Sequence, residues 1–343
     1  MSDAANRWNA VAVGARGRGH RAALPLTRRA CLGLAASGAA EAWLLLRTDA
    51  AQPDRGRWLV KAPLSFGRAE VGVAVVAGRI YVIGGYAQGR VDQPFNQEYD
   101  PSANVWRNRA PLPRGLNHVA VVGMNDRVFA FGGFIQQNRD AAPDASEYDV
   151  AQNQWRQLTP LPQKLGAASA VELGGRLHVV GGRDVLSVGA HQVYDPRSNT
   201  WSDRAPLPKG RDHLGVVVVD GRIHAIGGRF NTFDYNTDLH DVYDPANDSW
   251  SSRAPLPTAR SGVAAALCRG LIFVFGGERA GGVFQENEAY DPASDRWMTM
   301  TPMQTPRHGT GAGVVRDAIY IPGGGLVNGG SRPATVNEAF VLP

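Results

Sequence analysis

The stretch His213-Leu214-Gly215-Val216-Val217-Val218-Val219-Asp220-Gly221-Arg222-Ile223-His224-Ala225-Ile226-Gly227-Gly228 decides the fold of this chain. Its first seven residues form an apolar, β-branched run, which reads as a strand buried on both faces. Asp220-Gly221 supplies a tight hairpin turn, where positive φ is needed. Arg222–Ile226 is a second strand, and Gly227-Gly228 lets the chain leave it with dihedrals that other residues avoid. A polar loop follows, from Arg229 to His240. Asp241-Val242-Tyr243 starts a third strand. Asp244-Pro245-Ala246-Asn247-Asp248 is a turn, with proline presetting φ and Asp and Asn capping amides. Ser249-Trp250-Ser251 is a fourth strand, and Ala254-Pro255-Leu256-Pro257 leads onward.

This block recurs along the chain. Trp58, Trp106, Trp155, Trp201, Trp250 and Trp297 each precede a Gly-Gly pair by 26 residues, the pairs starting at Gly84, Gly132, Gly181, Gly227, Gly276 and Gly323. Tyr99, Tyr148, Tyr194, Tyr243 and Tyr290 each precede the next of these tryptophans by seven residues, and a proline follows each tryptophan by five. Only the spacing from Gly-Gly to Tyr varies, so insertions are confined to the loop between the second and third strands. In repeat arrays the variable loop often marks the binding face. A tryptophan at one position of every repeat reads as packing between neighbours. Four antiparallel strands per repeat, six times over, predict an all-β, six-bladed β-propeller over residues 57–343. Trp58 has no strands before it and the last block lacks a fourth strand, so the N-terminal strand around Trp58 is expected to close the ring.

Gly-Gly, then Tyr-Asp-Pro (Tyr99, Tyr194, Tyr243 and Tyr290 each begin one), then Trp at these intervals resembles the kelch-repeat family of β-propellers. The resemblance covers residues 57–343 and, with the leader, implies a bacterial, exported member. It further implies that rim residues beside the strand-one entry and after each Gly-Gly are the contact positions. Counted in that register, the candidate ligand-binding residues are Arg68, Glu70, His118, Arg183, Arg211, His213, Arg229 and Glu278. Arginines presented together suit a carboxylate. The expected function is an exported binding module that takes a protein partner or a small acidic or sugar ligand at one face of the propeller. The alternative is a periplasmic mutarotase or epimerase of the sialic-acid type, which some bacterial kelch propellers are. It would draw an acid/base pair from Glu70 or Glu278 with His118 or His213. A copper radical oxidase, also kelch-like, would need a cysteine near two histidines, and Cys268 falls at the wrong end of its strand. No catalytic residue, metal or cofactor is assigned: no local pair of histidines or cysteines has ligand spacing.

Of the 343 residues, 1–56 lack the repeat and form a leader. Arg28-Arg29 precedes an Ala/Gly-rich run from Gly33 to Ala40, which resembles a twin-arginine export signal. The net charge of +5 sits mostly there, so it argues for no nucleic-acid partner. The mature chain has no stretch apolar enough to span a membrane. These features predict a periplasmic or secreted monomer, with a cytoplasmic location as the alternative. Cys31 lies in the leader, which leaves Cys268 as a lone buried strand residue.

Overall fold

The computed structural model describes residues 55–343, and the arginine pair, the Ala/Gly-rich run and Cys31 lie outside them. Six four-stranded antiparallel sheets follow one another along the chain. Blade 1 comprises Gly72–Val76, Arg79–Ile83, Asn96–Asp100 and Val105–Arg109. Blade 2 comprises Ala120–Met124, Arg127–Phe131, Ala145–Asp149 and Gln154–Gln157. Blade 3 comprises Ser169–Leu173, Arg176–Val180, His191–Asp195 and Thr200–Asp203. Blade 4 comprises Gly215–Val219, Arg222–Ile226, His240–Asp244 and Ser249–Ser252. Blade 5 comprises Ala264–Cys268, Leu271–Phe275, Asn287–Asp291 and Arg296–Thr299. Blade 6 comprises Gly313–Val315, Ala318–Pro322 and Asn337–Val341, and its outermost strand is Arg57–Val60, with Trp58 opposite Phe340. The first strands neighbour one another around the axis, blade 6 against blade 1. Among the described residues no helix is long and apolar enough to cross a membrane.

Local chemistry explains the repeat. Asp220 and Gly221 both have positive φ, at 47° and 72°, as the two-residue turn between Val219 and Arg222 requires. Gly227 has φ of 63°, and a Cβ there would lie 2.7 Å from the Arg260 carbonyl of the next blade. The N–H of Gly228 donates to that same carbonyl at 3.0 Å. The glycine pair thus serves both the turn and the close approach of one blade to the next.

The tryptophans lie half-buried at the blade seams. Trp250 Nε1–H donates to the Ala205 carbonyl of the previous blade at 2.7 Å, and Trp106 and Trp58 make the same bond to Ala62 and Thr301. Tyr243, directly across the strand pair, packs against Trp250 with the rings tilted by 45° and their centroids 5.2 Å apart. Its hydroxyl donates to Asp248 Oδ1 at 2.8 Å, and that oxygen also accepts the Ala205 N–H at 2.9 Å. Asn104, Asn153, Asn199 and Asp295 repeat this latch in the other blades that carry the tyrosine. In blade 6 Phe340 has no hydroxyl. There Thr301 donates from its backbone to Arg55 and from its side chain to Gly56.

Candidate ligand site at the mouth of the channel

Six residues, one per blade, form a throat just before the first strands: Glu70, His118, Ala167, His213, Gly262 and Gly309. All have positive φ, between 52° and 67°. The N–H of His118 donates to the Glu70 carbonyl, Ala167 to His118, His213 to Ala167, Gly262 to His213 and Gly309 to Gly262, at 2.9–3.1 Å. The Val71 N–H completes the circuit to Gly309 at 3.2 Å. Those amides are spent on one another, so anything at the mouth must be held by side chains. Beyond the throat lies a channel cavity of about 370 Å³ with mixed walls, among them Val73, Val121, Val216, Ser169, Glu172 and Thr310.

The residue after each Gly-Gly pairs back onto the residue before the throat: Tyr86 onto Ala69, Phe134 onto Asn117, Arg183 onto Gly166, Arg229 onto Asp212, Glu278 onto Ser261 and Gly325 onto His308. This pairing brings Glu70, His118, His213, Arg229 and Glu278 into one buried network, joined by Asn117, Asp212 and His308. Arg229 donates Nε–H to Asp212 at 3.1 Å, one Nη to Glu278 and the other to His213 Nε2 at 2.9 Å, so all three nitrogens are engaged. His118 Nε2 lies 3.0 Å from Glu70 Oε2. Asn117 Nδ2 donates to Asp92 and to the Phe134 carbonyl, which turns Asn117 Oδ1 towards His118 Nδ1. His118 Nδ1 is thus met by an acceptor, and its Nε2 is turned towards the Glu70 carboxylate. His308 Nε2–H donates to the Val327 carbonyl at 2.8 Å, and its Nδ1 faces Glu70 Oε1 at 3.2 Å and Glu278 Oε2 at 3.5 Å. Glycine makes room here. A Cβ on Gly309 would lie 2.6 Å from the Glu70 carboxylate, and one on Gly325 would lie 2.6 Å from His308 Nε2.

The network fixes its charges. Burial works against the Glu70 carboxylate, but His118 and His308 outweigh it and hold it well below the usual range. Glu278 is likewise lowered: burial opposes, and His308 and Arg229 prevail. Burial would push His308 down, yet Glu278 and Glu70 hold it up at about 9. Burial and then Arg229 push His213 down to about 4, against the pull of Asp212. At neutral pH, His308 is a cation among carboxylates and His213 is neutral, with Nδ1–H on Asp212 and the Nε2 lone pair on Arg229.

Three sequence-derived residues stand apart from this network. Arg68 and Arg211 are fully buried inside their blades and do not reach the mouth. Arg68 donates to the carbonyls of Gly84 and Val82, and Arg211 to those of Gly227 and Ala225 and to the Asp241 carboxylate. Arg260 and Arg307 do the same in blades 5 and 6. These arginines brace the glycine turns, because turning away from the ladder leaves carbonyls that need donors. Arg183 does lie at the rim. Its guanidinium sits 5.0 Å over the Phe134 ring, its Nε is buried without a partner, and no carboxylate among the described residues pairs with it. Sequence reasoning missed His308, Asp212 and Asn117, which stand one residue before the throat.

The fold and the site define a β-propeller with a charged pole. The chain belongs to the kelch-repeat family: residues 70–255 match the family model described as the KLHDC2/KLHL20/DRC7 Kelch-repeats domain, and residues 259–304 match the Kelch motif. A solved structure titled "Structure of YjhT" is similar at 16% identity with a TM-score of 0.70, covering 82% of this chain and 96% of that one. At that identity the likeness shows the fold alone. No curated protein matches. Family and fold together make this an interaction module in the general sense.

Proposed function

We propose that this kelch propeller binds a small carboxylate-bearing ligand, of the acidic-sugar class, at the mouth of its channel. We further propose that the leader exports it, so that it acts as a monomer outside the cytoplasm. The carrying observation is Arg183. Arg229 has all three nitrogens engaged by Asp212, Glu278 and His213, whereas Arg183 is a rim guanidinium that no carboxylate among the described residues pairs with. A bidentate carboxylate would pair with it, and Phe134 holds the guanidinium plane from beneath.

One observation favours turnover as a second reading. His118 Nε2 and Glu70 Oε2, 3.0 Å apart, are an acid/base pair of the kind anomer exchange needs: one group takes the anomeric hydroxyl proton while the other protonates the ring oxygen, and the reverse closes the ring. The test is calorimetry and thermal shift with a panel of sugar acids and their neutral counterparts. Saturable binding of an acid, lost in Arg183→Ala without a change in the unliganded Tm, is the expected result. Binding that ignores Arg183→Ala, or none across the panel, would remove this reading in favour of a protein partner. Faster anomer exchange by NMR, abolished in His118→Asn, would establish the enzyme.

A further inference from the structure

We infer that Glu70, Glu278 and His308 form a site for one divalent cation of the zinc class, set in the charged pole of the propeller. His308 is completely buried and its Nδ1 aligns a hydrogen bond with neither carboxylate, although Glu70 Oε1 and Glu278 Oε2 lie 3.2 Å and 3.5 Å away; a bound ion would take the place of the proton that Nδ1 carries in the metal-free protein. A ring nitrogen aimed between two carboxylates, and straight at neither, is the arrangement an ion between the three would explain. The spacing fits. Ligand atoms around a tetrahedral ion with bonds of about 2.0–2.1 Å stand roughly 3.3 Å apart, and the three atoms here lie within 4.8 Å of one another. The set is one imidazole and two carboxylates, whose two negative charges match a divalent ion.

The surroundings are those of a metal ligand shell. His308 Nε2–H is fixed by the Val327 carbonyl, which leaves Nδ1 as the donor. The far oxygen of Glu70 is held by His118 and that of Glu278 by Arg229; each carboxylate turns its other oxygen towards His308, and the Gly329 N–H orients Glu278 Oε2 by donating to it at 2.8 Å. Gly309 leaves the space that the Glu70 carboxylate occupies. A second set of possible ligands, Glu70, His118 and His213, shares Glu70 but is spoiled: His213 already accepts from Arg229 on Nε2 and donates to Asp212 from Nδ1. Three protein ligands leave a fourth position for water or an oxygen of a bound molecule.

The test uses the whole protein, stripped with a chelator and titrated with zinc(II) and cobalt(II). One ion per chain after gel filtration is expected by elemental analysis, with an intense visible cobalt spectrum. X-ray absorption should show one imidazole in the shell. His308→Gln and Glu278→Gln should abolish retention. His118→Asn, an outer partner, should weaken it by roughly 10–100-fold. His191→Asn, in the distant histidine pair of blade 3, should leave it intact. No retained ion in the folded wild-type protein would overturn the inference. So would retention that survives His308→Gln, or a shell of two or more imidazoles. The wild-type stoichiometry and shell decide the matter even where a variant fails to fold. Loss of sugar-acid binding in Arg183→Ala leaves every one of these readouts unmoved, so this inference and the proposed function fail separately.

Discussion

Acid should unfold this protein through four buried histidines far from the mouth. His178 and His191 pair in blade 3, and His224 and His240 pair in blade 4, with Nδ1 to Nε2 distances of 2.8 Å and 2.9 Å. His191 donates from Nδ1 to the Ala205 carbonyl and His240 to the Ala254 carbonyl, so each offers a lone pair on Nε2 that its partner's N–H fills. The pairs are neutral by construction. Burial, the partner ring and nearby arginines push His178 down to about 3 and His224 to about 4; burial, opposed by the backbone bonds, pushes His191 and His240 to about 4. The unfolded chain titrates near 6.5 and binds more protons below that value. Stability therefore rises with pH between about 4 and 6.5 and is lost as pH falls through that window. At pH 5 each histidine costs about 2 kcal/mol, or about 8 kcal/mol for the four, against a total stability of roughly 5–15 kcal/mol. The comparison is wild type against His178→Phe/His191→Asn, which imports the Phe273 and Asn287 that occupy these positions in blade 5. Urea denaturation at pH 5, 5.5, 6 and 7 should give a variant slope shallower by about 2.5 kcal/mol per pH unit between pH 5 and 6. Parallel slopes would show that the histidines are not neutral in the fold.

Other expectations concern the scaffold. Arg211→Leu should cost about 3–5 kcal/mol, because it strands the buried Asp241 carboxylate. Arg68→Leu should cost less: its polar partners are carbonyls and Gln97, with no carboxylate, and burial alone pulls its guanidinium down to about 9. Equal losses in urea would contradict the assignment. Gly227→Ala should destabilise more than Gly221→Ala in a thermal melt. Both residues have positive φ, but a Cβ at 221 meets nothing within 4 Å and one at 227 strikes the Arg260 carbonyl. Asn199→Ala removes the acceptor of both the Tyr194 hydroxyl and the Thr159 N–H, and a loss of about 1–3 kcal/mol is expected. An unchanged Tm would mean that the latch is ornamental.

The fold was legible because its determinants are local and periodic. A Trp that must reach the carbonyl four residues after the previous Trp, and a glycine pair that must pass the next blade's backbone, leave a fixed spacing in the chain. The site was half legible. Counting back from Gly-Gly found Glu70, His118 and His213, and counting forward found Arg183, Arg229 and Glu278. Arg68 and Arg211 were drawn in because they stand two positions before the throat, yet it is the position between that joins the pole, as Asn117, Asp212 and His308 do in blades 2, 4 and 6. A signal was present. Where that earlier position is arginine, the second residue of the third strand is Gln97, Asp241, Glu288 or Glu338; where it is Leu116 or Leu165, that residue is Ser146 or Gln192. In three of these four repeats the arginine travels with its own acid, which marks a structural pair and not a free cation.

The same logic separates scaffold from function at the pole. Positions that repeat blade after blade, such as the glycine pairs and the tryptophans, brace seams and turns, and their chemistry is spent internally. The pole is built from positions that vary from blade to blade. The throat carries Glu, His, Ala, His, Gly and Gly in turn, and the ring after the glycines carries Tyr, Phe, Arg, Arg, Glu and Gly. A ring that only had to close could repeat one small residue six times, since its backbone bonds need none of these side chains. Instead Glu70, His118, His213 and Glu278 are buried at real desolvation cost, and Gly309 and Gly325 keep open the room that Glu70 and His308 fill. A buried, asymmetric charge cluster placed where the fold does not require one is the physical ground for locating function at this end of the channel.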